Sequence, residues 1–186
     1  MHIIDHPESF KAGVRLIMRV WRNKENKEGR RPGRTEVSTC IEEWQHHCWQ
    51  LVQECVPGER VYASAEPRSI PHAIRVFKER QLAADYDPPA VRDAFYAPLS
   101  TRWLSCLGAP QASAEKFFLF DCDDMDAHKR LCEDLESEQL MENVVHAYRT
   151  KNGVHVLTKP FNPGLIKLAH REILQKNALI LVAWGK

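Results

Sequence analysis

Two short stretches in the last third of the chain carry residues able to do phosphoryl chemistry. FLFDCDD (118–124) ends an apolar, aromatic run with Asp121 and Asp123 separated by one residue. If a strand continues through Cys122, side chains alternate and both carboxylates share a side, about 7 Å apart. Carboxylates so placed grip Mg²⁺ or Mn²⁺ and leave positions for phosphate oxygens. Metal-assisted phosphoryl transfer needs that geometry. TKNGVHV (150–156) supplies Thr150, Lys151 and, just after Asn152-Gly153, the imidazole of His155. Asn177, in QKNALILV, precedes the final apolar run. The bland alternative for the aspartates is a polar strand end, with Asp124 or Asp126 capping the next helix.

A second grouping, Cys40, His46, His47, Cys48 and Cys55, invites a zinc reading. Facing ligands on one helix stand three or four residues apart, whereas these cysteines are eight and seven apart. At 1.5 Å rise per residue their sulfurs lie roughly 10–12 Å from one another. Thiols on an apolar face are the better account.

The elements that must position these groups are legible from periodicity. Phe10, Val14, Ile17, Met18 and Trp21 recur at helical spacing and predict an amphipathic helix over 8–22. NKENKEGRRPGR (23–34) reads as a solvated basic loop. A helix over 38–55 is expected to carry Ile41, Trp44, Cys48, Leu51, Val52 and Cys55 on one side, and RVYASA (60–65) reads as a strand. Ser69 caps a helix with Pro71 in its first turn. Residues 84–113 hold four prolines and are expected to be largely irregular.

The last third reads as strand (116–121), helix (126–140), strands 144–149 and 154–158, helix from Asn162-Pro163, and strand 178–184. Its second helix is expected to turn Leu165, Leu168, Ala169 and Ile173 inward. With Asn152-Gly153 as a two-residue hairpin loop, Lys151 faces Val154 and Thr150 faces His155. Val145, Ala147, Val154 and Val156 then lie under the helices. His146, Tyr148, Thr150 and His155 share an open face of the kind that binds nucleotides. A β-α-β-β-α-β order implies a ferredoxin-like, RNA-recognition-motif-like sheet of spatial order 4-1-3-2. Asp121, His155 and Asn177 then meet at one end of it.

Composition narrows the class. The 186 residues carry 26 Lys and Arg, 25 Asp and Glu, and 16 aromatic Trp, Tyr and Phe residues, which excludes a disordered chain. Residues 15–34 have a local balance of +6, and residues 121–142 one of −7. The basic stretch suits an anionic polymer and the acidic one suits cations. Arg60, Arg68, Arg75 and Arg80 are candidates for phosphate contact. Trp103 is a base-stacking candidate, with a core role as the alternative. Six cysteines without a secretory leader at MHIIDHPESF imply reduced thiols and a cytoplasmic location. No apolar run approaches the ~20 residues of a membrane span, so no membrane partner is expected.

At residues 118–124 and 150–156 the chain resembles the archaeo-eukaryotic primases and primase-polymerases. FLFDCDD is similar to their hydrophobic-Asp-x-Asp first motif, and TKNGVHV to their second, a small-residue turn followed by one His. The resemblance spans roughly residues 60–184. It implies that Asp121 and Asp123 hold Mg²⁺ or Mn²⁺ and that His155, with Lys151 and Thr150, binds the triphosphate. The family's third motif usually supplies an acidic residue where this chain has Asn177, a weak carbonyl ligand without charge.

The expected architecture is α/β (α+β), one compact primase-like unit of two lobes. Residues 1–113 form a helical and α/β lobe bearing the basic loop 23–34, and residues 114–186 form the ferredoxin-like catalytic lobe. The implied activity is template-dependent nucleotidyl transfer, with Asp121, Asp123 and His155 catalytic. The implied partners are a nucleic-acid template, nucleoside triphosphates and a helicase or other replication protein. Two further readings stand beside it: a primase-like module that binds nucleotide or single-stranded nucleic acid without polymerising, and a replication accessory whose acidic cluster meets a basic partner.

Overall fold

The computed structural model describes residues 2–7, 11, 13–21 and 33–184. The chain is mixed α/β of the α+β kind, with two antiparallel sheets and, among the described residues, six α-helices. The first sheet holds β1 (His2–Ile3), β2 (Arg15–Trp21), β3 (Arg34–Ser38), β4 (Glu59–Ser64) and β9 (Leu179–Trp184), in the order β1-β9-β4-β2-β3. The second holds β5 (Phe118–Cys122), β6 (Val144–Arg149), β7 (Val154–Thr158) and β8 (Leu174–Lys176), in the order β6-β7-β5-β8.

The segment 15–21 is a strand and not the expected helix; residues 8–10, 12 and 22 of that stretch lie outside the described residues. Strand β2 runs between β3 and β4 and is covered on both faces. Leu16 packs with Ala73, Leu107 and Ala112, while Ile17 joins the core cluster that holds Trp44, Leu51 and Val52. A strand apolar on both faces gives a continuous hydrophobic run, which periodicity alone does not separate from a buried helix. Most of the basic loop, 23–32, also lies outside the described residues. Arg34 begins β3, with its guanidinium on Glu36 and Glu54.

Helix α1 (Ile41–Gln53) buries Trp44, Cys48, Leu51 and Val52, as expected. Helix α2 (Ile70–Asp85) starts at Ser69, whose hydroxyl accepts from the His72 N–H at 3.3 Å, with Pro71 in the first turn. The stretch beyond it is helical rather than irregular, forming α3 (Pro89–Tyr96) and α4 (Leu99–Leu107). Its prolines, 88, 89, 98 and 110, all stand at helix boundaries, where a missing N–H costs nothing. Trp103 packs against Phe77 beside the cluster of Leu16, Ala73 and Leu107, so it serves the core.

In the second sheet, Phe118, Phe120, Cys122, Val154 and Val156 face α5 (Met125–Ser137) through Leu131 and Leu135. The segment after Asn162 departs from expectation. Asn162 caps a single 3₁₀ turn, and α6 spans only Leu168–Glu172. Leu165 and Leu168 point outward, and the buried residues are Ile166 and His170. A polar pin replaces the apolar stripe: buried Asp134 of α5 accepts from the Lys167 backbone N–H at 2.8 Å and meets His170 Nδ1 at 2.7 Å.

The terminal strand is the largest rearrangement. ALILVAW was expected beside β5, but Leu174–Lys176 takes that place as β8. Asn177 then turns the chain at φ +51°, and β9 crosses to the first sheet between β1 and β4. Residues 180–183 are all buried, which requires cover on both faces. That cover comes from α1 on one side and the second sheet on the other. Leu119, Tyr148 and Leu157 belong to one core cluster with Ile17, Val61, Ile180 and Leu181. The sheet face carrying Tyr148 and His155 is therefore not open, as the sequence suggested, but roofed by the first sheet.

Candidate functional site

The hairpin loop has four residues, 150–153. Arg149 pairs with Val154 and Tyr148 with His155, two residues away from the expected register. A shift of two preserves the alternation of faces, so His155 and Tyr148 still share a side. On the next strand His155 pairs with Asp121. Three adjacent strands thus set Tyr148, His155 and Asp121 in one row across the sheet, at the ~4.8 Å spacing of neighbouring strands.

The row is hydrogen-bonded throughout. His155 Nε2 lies 2.9 Å from Asp121 Oδ1, and His155 Nδ1 lies 2.8 Å from the Tyr148 hydroxyl. That hydroxyl accepts the Leu181 backbone N–H, from the other sheet, at 3.1 Å. Burial pushes the Tyr148 phenol up; the Leu181 N–H works against this and the Asp121 charge adds to it. The phenol therefore stays protonated. His146 stacks on Tyr148 at 5.4 Å, and His6 meets the ring edge-on at 4.8 Å. Burial holds His6 down at about 4, so at neutral pH its ring is uncharged and Nε2–H donates to Leu181 O at 2.9 Å.

Asp121 is the member of the row that reaches solvent, 45% exposed against 11% for His155. It opens onto a pocket of about 440 Å³ at the end of the sheet. Asp123, Thr150, Lys151, His155 and Asn177 line the same pocket, so the structure brings the residues expected to hold metal and nucleotide together, whereas Arg68, Arg75, Arg80 and Trp103 do not line it. Cys122 also reaches it, but burial, reinforced by the nearby carboxylates, pushes its thiol up to about 11. A protonated thiol is neither ligand nor nucleophile.

The contacts assign each residue. Both ring nitrogens of His155 are engaged within the protein, which ties the imidazole to Asp121. Thr150 Oγ1 accepts the Gly153 N–H at 3.1 Å, and the Thr150 N–H donates to Gly153 O at 2.8 Å. Lys151 and Asn152 are exposed at the rim. The Asn177 carbonyl oxygen accepts from Arg68 Nη1 at 2.9 Å. Arg68 is 4% exposed and also reaches Ala109 O and Ser113 Oγ, so it braces the interior rather than meeting phosphate at the surface. A guanidinium on that oxygen opposes a cation there, so of the residues expected to hold a metal only Asp121 and Asp123 could do so.

Of the arginines expected to meet phosphate, Arg60 lines the pocket, and sequence reasoning missed Tyr62 of β4 and Lys176 of β8, which line it too. Tyr62 comes from the other sheet, and no local signal in 59–64 points to it. Tyr148 could have been placed by the correct hairpin register. Among the described residues no three His, Cys, Asp or Glu side chains gather to hold a metal. Two carboxylates suffice for Mg²⁺ or Mn²⁺ where substrate phosphates complete the coordination. Comparison of the chain with protein-family models, with curated proteins and with solved structures returns no match.

Proposed function

We propose that this protein is a primase-polymerase-like nucleotidyltransferase acting with Mg²⁺ or Mn²⁺ and nucleoside triphosphates on a nucleic-acid template. The observation that carries the reading is the convergence of Asp121, Asp123, His155 and the 150–153 loop on one pocket. Its size falls within the 300–1,000 Å³ or so usual for small-molecule sites. The strand order β8-β5-β7-β6, antiparallel throughout, supports a ferredoxin-like plan for this half of the chain.

Asp121 and Asp123 are the residues that would hold the metal. When bound, a divalent ion supplies charge neutralisation on the phosphates and activates the attacking hydroxyl. The chain's own groups do the rest. Lys151 and Arg60 bring positive charge to a triphosphate, and His155 orients the Asp121 carboxylate. The roof provided by the first sheet shields Tyr148 and His155 from water, which strengthens the polar contacts between them.

The test is incorporation of labelled nucleotide on primed and unprimed templates with Mn²⁺, lost in Asp121→Ala and Asp123→Ala. The same ligands at 100 Kd should add about 2.7 kcal/mol of stability, or roughly 5–10 °C in Tm for a chain of this size. One observation favours a second reading. The third-motif position holds Asn177 bonded to Arg68, with no third carboxylate, which suits a module that binds nucleotide without transfer. A Tm shift without incorporation selects that module. No shift overturns both.

A further inference from the structure

Tyr148 stands at the inner end of the row and takes no part in the roles assigned above. Its hydroxyl has one proton to give. The Leu181 N–H is an obligatory donor in a buried place, so the phenol oxygen accepts it, at 3.1 Å. His155 Nδ1, 2.8 Å away, stands in place to accept the phenol proton. A neutral imidazole that accepts at Nδ1 carries its proton on Nε2, facing Asp121 Oδ1 at 2.9 Å. Each bond sets the polarity of the next.

The anchor is rigid. Leu181 lies in β9 of the first sheet, and its carbonyl is held by His6. The Tyr148 ring sits between the stack of His146 and the edge contact of His6, and is 7% exposed. The backbone of one sheet thereby aims a carboxylate that belongs to the other.

We propose that Tyr148 is a positioning residue of the nucleotide site: its hydroxyl sets the tautomer and tilt of His155, which delivers Nε2–H to Asp121 and aims that carboxylate at the metal-bound nucleotide. The proposal rests on the functional reading above. Groups that orient a metal ligand typically change metal affinity or activity 10- to 100-fold or so when removed.

The experiment uses the full chain labelled with ¹⁵N-histidine, the His155 signals being assigned by their loss in His155→Asn. Long-range ¹H–¹⁵N spectra should show His155 in one neutral tautomer with the proton on Nε2. Tyr148→Phe, which keeps the ring and removes only the hydroxyl, should give averaged nitrogen shifts and weaken Mn²⁺–ATP binding about 10- to 100-fold. Should that variant not fold, the wild-type spectrum still decides, because averaged shifts or a proton on Nδ1 overturn the proposal. Equal Mn²⁺–ATP affinity in folded wild type and Tyr148→Phe overturns the positioning role alone. A wild type that binds no Mn²⁺–ATP overturns the functional reading, and the role with it.

Discussion

Gly153→Ala is the substitution whose effect follows most directly from the coordinates. A Cβ at that position would lie 1.9 Å from the Cys122 carbonyl oxygen and 2.6 Å from the Asp123 carbonyl carbon. Both are backbone atoms, so no side-chain rotation relieves the clash. Carbon–oxygen contacts settle at about 3.3 Å, so the loop must withdraw by about 1.4 Å. Overpacking of a buried position costs about 1–3 kcal/mol, a fall of roughly 2–12 °C in Tm for a chain of this length. The withdrawal moves Thr150 and Lys151 away from the Asp121–Asp123 strand end. A misplacement of about 1 Å can lower a rate on the order of 100-fold. The assay pairs a thermal melt with Mn²⁺-dependent nucleotide incorporation or, if there is no turnover, Mn²⁺–ATP affinity. Asn152→Ala is the control: its side chain is exposed, and its effect should stay within about 0.5 kcal/mol. A Gly153→Ala protein that melts and binds nucleotide as wild type does would refute the close-approach argument.

Two further predictions concern buried charge. The His6 ring is held at about 4 in the folded chain, against 6.5 when unfolded, so between those values the unfolded chain binds the proton and the folded chain does not. Stability is therefore full above about pH 6.5 and lost as pH falls toward 4, by on the order of 3 kcal/mol. His146, lowered by burial as well, acts in the same direction. Urea midpoints near pH 7.5 and near pH 5 should differ accordingly, and His6→Gln should flatten the difference; a pH-independent midpoint refutes the reasoning. Arg68→Met removes a guanidinium that holds Ala109 O, Ser113 Oγ and Asn177 Oδ1, beside buried Glu66. The buried acceptors left without this donor should cost about 1–3 kcal/mol, read as a fall in Tm, and a variant of unchanged Tm counts against the bracing role.

The chemistry-bearing residues were legible because they occupy short, strongly patterned segments. Phe118–Cys122, Val144–Arg149 and Val154–Thr158 alternate or run apolar between clear turn residues, and Ser69-Ile-Pro has the local chemistry of a helix start. Asp121, Asp123 and His155 needed only those strands and their antiparallel neighbours to meet. The hairpin pairs two residues away from expectation, which keeps Tyr148 and His155 on one face, whereas Val145 and Ala147, expected under the helices, are exposed beside a β-bulge. Gly153 was noticed for a turn preference, yet its need is steric: the strand end lies against it.

The sequence by itself determined strands β5, β6 and β7 of the second sheet, helices α1, α2 and α5 and the identity of the polar groups, since alternation, capping and turn chemistry are local properties. Tertiary structure alone decided that 15–21 is a strand, that ALILVAW joins the first sheet, and that this sheet roofs the row Tyr148–His155–Asp121. A strand buried on both faces carries no periodicity to distinguish it from a helix or to name its neighbours. Its place is set by which surfaces of distant segments can cover it, and that information exists only once the chain has folded.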